Sequence, residues 1–350
     1  MTHDAADTAH IVNRSFAKCN RGFTMTKSTG QNWPAYNAAQ TNEKARFLAL
    51  LRKLCDGVTG PLHTLGRPPA PLGDVLFAMV YRVYGTFSCR RGMSDLKVAQ
   101  ESELISKLPR PSTILKYFDM KAMTPYLRQL IVESSLPLRD VETAFAVDSS
   151  GFSTSCFGRW VDKRFGKAEV GEQRVWVKAH IMCGVLTNIV TAVEVSDANA
   201  ADSPFFLPLV KVTLVHFWVK EVSADKAYSS LKNLRFVRKV KGMPFIPFKV
   251  NTNPMHKTKD PLWTRLYHFY SLNKEWFNAH YHKRSNVEAT FSMIKAKFRG
   301  HLRSRSKTAQ VNEVLCKILC HNLCVIIQSM YELGIEPNFW REESDRAKVS

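Results

Sequence analysis

The chain has 350 residues, 45% of them hydrophobic and 23% charged, with 16 Gly and 16 Pro, a balance that excludes a disordered tail or a fibrous polymer and allows two or three domains. Fifty Lys and Arg stand against thirty Asp and Glu, a formal charge of +20, so the expected partner is a polyanion, with nucleic acid first among them. A membrane partner is not expected, because the longest apolar stretch, residues 315–330, is interrupted by Lys317, His321, Asn322 and Gln328 and falls short of the roughly 20 residues of a span.

Residues 1–40 are rich in Asn, Thr, Ser and Ala without sustained periodicity and are expected to form a mobile arm. The first 17 residues have no apolar signal core, so a cytoplasmic, nucleoid-associated location is expected. Residues 41–140 read as an all-helical domain. Phe47, Leu48, Leu50, Leu51 and Leu54 form one amphipathic segment, and Leu72, Val75, Leu76, Met79, Val80 and Val83 a second. Further helices are predicted over 93–101, after Pro111 with Ser112 as the cap, and over 124–133. Arg90, Arg91, Arg110 and Lys116 near the turns suit a module that binds DNA ends, and the same helices suit a packing domain equally well.

After Pro137 the pattern turns to strands. Residues 143–147 are an apolar run ending in Asp148, with Ser149, Ser150 and Gly151 predicted as a turn. Strands are expected over 175–185 and 189–195 with a tight turn at Thr187 and Asn188, then a helix over 203–212 capped by Asp202. A strand over 217–224 ends at Asp225 and is followed by a helix, 245–250 is a further strand, and the remainder to Leu333 is helical. A meander followed by alternating strands and helices is a mixed α/β sheet. Residues 141–333 are expected to form this second domain, and 334–350 a charged tail.

Eight cysteines include no Cys-x-x-Cys pair, as expected of reduced thiols. Cys316, Cys320, His321 and Cys324 fit either a helical zinc ligand set or a buried stripe of one helix, and the apolar neighbours favour the stripe.

From Lys226 to Gln310 there are 19 Lys or Arg against Asp260, Glu275 and Glu288, so most of the excess charge falls in a quarter of the chain, as expected of a groove for a nucleic-acid backbone. Asp148 and Asp225 each end a predicted strand, and parallel neighbours would bring them to one sheet edge, where two carboxylates suit a hard divalent cation. Within residues 281–295, Tyr281, Arg284, Glu288 and Lys295 fall within about 60° on a continuous helix, beside an apolar stripe of Val287, Phe291, Ile294 and Phe298. Arg299 returns to the same line. Glu288 and Arg284 would also suit an ordinary i, i+4 ion pair.

The order Asp148, Asp225, Glu288, with Tyr281-x2-Arg284-x3-Glu288-x6-Lys295 around the last acid, resembles the YREK signature of insertion-sequence DDE transposases of the IS four/IS five type. Ala224-Asp225-Lys226-Ala227-Tyr228 is similar to the Asp-Lys-Gly-Tyr common there, with Ala227 in place of Gly. The resemblance covers about residues 144–331. It implies a ribonuclease-H-like sheet flanked by helices, with Asp148, Asp225 and Glu288 as catalytic residues holding two Mg²⁺ ions, for which Mn²⁺ would substitute. It further implies an endonuclease activity at terminal inverted repeats, strand transfer into double-stranded target DNA, and a homodimer on DNA. Tyr281, Arg284, Lys295, Arg299 and Lys226 would contact the DNA. The alternatives are a transposase-derived DNA-binding protein that has lost catalysis and a stand-alone nuclease of the same fold.

Overall fold

The computed structural model describes residues 32–60, 70–154, 176–249, 252 and 260–340. Within these, helices come first: α1 (Trp33–Thr41), α2 (Glu43–Asp56), α3 (Leu72–Tyr84), α4 (Met93–Glu101), α5 (Pro111–Phe118) and α6 (Met123–Ser135). The predicted arm thus contains a helix at its end, and its first 31 residues lie outside the described ones. The side chain of Asn32 caps α1 by accepting from Ala35 N at 3.2 Å. Only Ala39 of α1 is buried, which is why no apolar period announced it. At α5 the predicted cap is displaced. Pro111 itself opens the helix, where its missing N–H costs nothing, and Ser112 lies within the first turn.

The sheet has the order β3-β2-β1-β4-β5, built from β1 (Ala144–Ser153), β2 (Trp176–Gly184), β3 (Val190–Asp197), β4 (Glu221–Ala224) and β5 (Met243–Phe245). The first three form an antiparallel meander, whereas β1, β4 and β5 run parallel. Helices α7 (Ser203–Leu214) and α8 (Leu231–Lys239) lie in the connections before and after β4. This is the predicted class, a mixed α/β sheet flanked by helices and preceded by a helical region.

Several strand bounds differ from expectation. β1 does not turn at Ser149 but continues to Ser153, because β2 pairs with it throughout and Trp176 covers Gly151 so closely that a Cβ there would meet the ring at 3.2 Å. β4 starts at Glu221 rather than at 217. β5 has only three residues, short of the strand expected over 245–250, and Pro244 and Pro247 limit its pairing. Asp202 stands at the start of α7 but makes no capping bond; its carboxylate is held by Ser149 and Lys178 instead.

Side chains alternate across β1. Phe145 and Val147 join one core with α7 and α8, while Ala146 and Phe152 join the other. The remaining helices are α9 (Pro261–Leu272), α10 (Lys274–Tyr281), α11 (Ser285–Phe298) and α12 (Lys307–Glu332). At 26 residues, about 39 Å, α12 is long and apolar enough to cross a membrane by length and composition, yet most of it is buried inside the protein. It packs on α1, α2, α3, α5, α6 and β3, so a single core runs from the first helices to the sheet. Buried Asn322 fixes it there, donating to Ser134 Oγ at 2.9 Å and Val190 O at 2.8 Å and accepting from Val190 N at 2.9 Å. Cys316 and Cys320 are fully buried in this helix, and burial pushes both thiols up, while Cys324 is pushed up to about 12. His321 Nε2 is bonded to the Asn188 carbonyl at 2.9 Å, consistent with the packed stripe rather than the zinc set.

Candidate active site

The chain brings Asp148 and Asp225 together through sheet register. β1 and β4 are parallel with Val147 opposite Ala224, so the next residue of each strand is an aspartate at the same edge. Asp225 Oδ1 accepts from Lys226 N at 2.7 Å and starts the 3₁₀ turn Lys226–Tyr228. Alternation turns Asp148 towards α11 and Ser149 to the opposite face.

Helix α11 supplies the third acid. Val287, Phe291, Ile294 and Phe298 are buried as the sequence predicts and seat the helix against the strands. The predicted unbroken helix from 281 to 295 is interrupted, however: α10 ends at Tyr281, a 3₁₀ turn spans His282–Arg284, and α11 begins at Ser285. The turn places Arg284 at the foot of α11. From there Nη1 donates to Asp148 Oδ2 at 2.6 Å and Nη2 to Glu288 Oε1 at 2.5 Å. The i, i+4 pair expected of a surface helix is therefore present, and its arginine also reaches a carboxylate 136 residues earlier in the chain.

Burial pushes the Asp148 carboxyl up; Ser149 N, at 2.8 Å, and Arg284 oppose this, while the charges of Asp225 and Glu288 add to it. Asp148 thus lies within the field of the other two acids. Glu288 remains open to solvent, with 56% of its side chain exposed.

The remaining predicted residues fall into two groups. Tyr281 lies beside Arg284, its ring 6.0 Å from the guanidinium, and Lys226 is exposed next to Asp225. Lys295 Nζ is bonded to Ser150 Oγ at 2.7 Å, on the β1 face that carries Asp148, and burial lowers its pKa. Arg299 does not join them. It stands exposed beyond the far end of α11, eleven residues or about 16 Å of helix from Glu288.

Sequence reasoning missed the support behind β1. Ser149 Oγ donates to Asp202 Oδ1 at 2.9 Å, and Lys178 Nζ contacts the same oxygen at 2.6 Å. Buried His180 stands 3.5 Å from it and stacks on Phe205. The signal was available, since continuing β1 by one residue past Asp148 directs Ser149 to the rear. A second missed group joins β4 to α10, where Glu221 accepts from Lys283 at 2.9 Å and contacts His280 Nδ1 at 2.9 Å.

Asp148, Asp225 and Glu288 are hard carboxylate donors of the kind that suits a divalent cation. Their positions do not close around one: among the described residues no three acid, His or Cys side chains are grouped tightly enough to enclose an ion. The Arg284 guanidinium occupies the place between Asp148 and Glu288 and supplies the positive charge there.

Against known proteins, the family model described as "Transposase DDE domain" matches residues 139–323, more than half of the chain. No curated protein and no solved structure matches.

Proposed function

The chain belongs to the transposase DDE domain family, and from that premise we propose that Asp148, Asp225 and Glu288 are its catalytic and metal-holding residues, in a transposase of the insertion-sequence type with the YREK signature. The family acts on DNA and generally uses divalent metal ions, and the fold is a ribonuclease-H-like mixed sheet. The observation that carries the residue assignment is the shared Arg284, which ties Asp148 on β1 to Glu288 on α11 while strand register places Asp225 alongside.

Asp148, Asp225 and Glu288 would hold a pair of Mg²⁺ ions, for which Mn²⁺ substitutes, and these would activate the attacking oxygen and stabilise the leaving one. The chain's own part is to position and neutralise. Arg284 suits bidentate contact to a phosphate, and Lys295, anchored on Ser150, acts as a point charge beside the same strand. Tyr281 and Lys226 border the acids and would line the DNA path. Water attack at an element end would leave a 3′-hydroxyl, and that hydroxyl would attack a target phosphodiester in the same centre. Paired cutting of terminal inverted repeats calls for a homodimer on double-stranded DNA.

Glu288→Gln provides the test, on a supercoiled plasmid carrying the DNA that flanks the gene. The expected outcome is loss of Mg²⁺-dependent cleavage, by about a thousandfold or more, with duplex binding retained. Cleavage at the wild-type rate would remove Glu288 from the centre. Joined products distinguish a transposase from a stand-alone nuclease, which would cut without joining, and no cleavage by the wild type would favour the DNA-binding descendant.

A further inference from the structure

A second cationic site lies at the other end of α11. A cleft of about 290 Å³, counting its open mouth, is lined by Arg82 from α3, by Arg299, His301 and Arg303 from the segment after α11, and by Glu313 and Lys317 from α12. Its enclosed part has room for little more than one water molecule, so it suits the tip of one oxyanion rather than a whole nucleotide.

Its charges are not balanced from within. Arg82 is only 8% exposed and its Nη1 has no hydrogen-bond partner, although its guanidinium lies over Phe118 at 4.8 Å. A buried guanidinium N–H with nothing to donate to is costly, so this donor points to an acceptor. Glu313 is the one carboxylate among the residues lining the cleft, and it already accepts from Arg303 N at 3.1 Å and Ser304 N at 2.8 Å. Lys317 is committed as well, donating to Arg299 O at 2.8 Å and His301 O at 2.6 Å and lying 3.9 Å from Glu313, so the one carboxylate is matched by this lysine and the arginines are in excess. These bonds hold the segment after α11 in shape and keep Arg82, Arg299 and Lys317 on the lining of one cleft. Burial lowers Lys317 to about 8 against the attraction of Glu313, with Arg303 and Arg299 pushing down as well, and His301 is lowered first by burial and then by Lys317 and Arg299. The mouth is bordered by exposed Arg299 and by Phe87, whose ring carries Arg91 at 5.1 Å.

We propose that this cleft receives a backbone phosphate of the duplex whose scissile bond lies at the acids. The inference rests on the transposase reading for its choice of DNA. The separation suits it: Glu288 and Arg299 stand about 16 Å apart along the direction of α11, close to the axial rise of five base pairs of duplex. Arg82 supplies the buried donor and Arg299 the rim, so that α3 and α11 grip one duplex across the junction between the helical region and the sheet.

The test is duplex binding by the full chain, read by fluorescence anisotropy across a salt series in EDTA so that cleavage is off. Arg82→Gln is expected to weaken binding about tenfold and to reduce the slope of log affinity against log salt by about one, the value of one phosphate contact. Circular dichroism checks the fold. Should Arg82→Gln fail to fold, Arg299→Gln, which alters only an exposed side chain, is expected to reduce the slope by the same amount. Unchanged slopes in folded variants would overturn the assignment while leaving the transposase reading intact, and a wild type that binds no duplex would defeat both. Inorganic phosphate separates the two sources of the anion. If it raises the melting temperature of the wild type but not of Arg82→Gln while the DNA slopes agree, the cleft takes free phosphate and the backbone assignment is wrong.

Discussion

Arg284 holds two carboxylates at once, and this sets the competition for any cation that enters the acid centre. Its guanidinium neutralises Asp148 and Glu288 in the place where a divalent ion would need their oxygens. Replacing Arg284 with Ala removes both the occupant and a nearby positive charge. Without DNA, Arg284→Ala should therefore bind Mn²⁺ more tightly, by about tenfold or 1.4 kcal/mol, as measured by calorimetry or by the free-ion electron paramagnetic resonance signal. Arg284→Lys keeps the charge and should move the affinity much less. Weaker binding by the Ala variant would mean that Arg284 organises the acids instead of competing for them. The sequence showed half of this arrangement. Spacing of three, four and seven put Arg284, Glu288 and Lys295 on one line, because helical periodicity depends on local spacing alone. The reach from Arg284 to Asp148 was not legible, since it depends on sheet register and on the 3₁₀ turn that precedes α11. Nor was the separation of Arg299, which shares a helical line with Tyr281 but lies a helix length away.

At the scale of elements, apolar periodicity identified α2, α3, α4, α6, β2 and β3 to within a few residues, because each buries a regular stripe or face. It failed where other forces set the bounds. α1 begins at an Asn cap with little burial, and β1 continues through Ser149, Ser150 and Gly151 because β2 supplies its hydrogen bonds. α12 is the element on which the fold closes, and its key residue is polar. Asn322 is fully buried and bonds β3 through both Val190 N and Val190 O, and α6 through Ser134. Asn322→Leu would conserve approximate size while leaving those buried groups without partners. The expected cost is about 2 to 4 kcal/mol, read from urea unfolding as a lower midpoint at unchanged slope. A neutral result would show that water reaches the start of β3.

For the whole molecule, the balance of buried histidines predicts how stability responds to acid. His321 is held near 4, first by burial, with Lys297 pushing the same way against the hydrogen bond to the Asn188 carbonyl. His180 is also held near 4 by burial, which outweighs the attraction of Asp202, and Lys178 adds to the depression. Both are bases that the folded state keeps neutral, whereas the unfolded chain takes up their protons near pH 6.5. Protons bound only by the unfolded chain favour unfolding, so stability is intact above about pH 6.5 and falls as pH drops towards about 4. Each histidine would withdraw on the order of 3 kcal/mol by the lower limit, where the net charge, already +20 at neutrality, has also grown. Glu221 loses its contribution further down: burial pushes its carboxyl up, but bonds from His280 and Lys283 outweigh this and hold it below the ordinary value, so its share is lost as pH falls below about 4. Two stages should therefore appear in the melting temperature against pH. His321→Gln should roughly halve the first, His180 supplying the rest, and leave the second, with its cost of substitution largest at pH 7 and shrinking towards pH 4. A His321→Gln profile parallel to the wild type throughout would mean that His321 is protonated inside the folded protein, and that the α12 core admits more water than its packing implies.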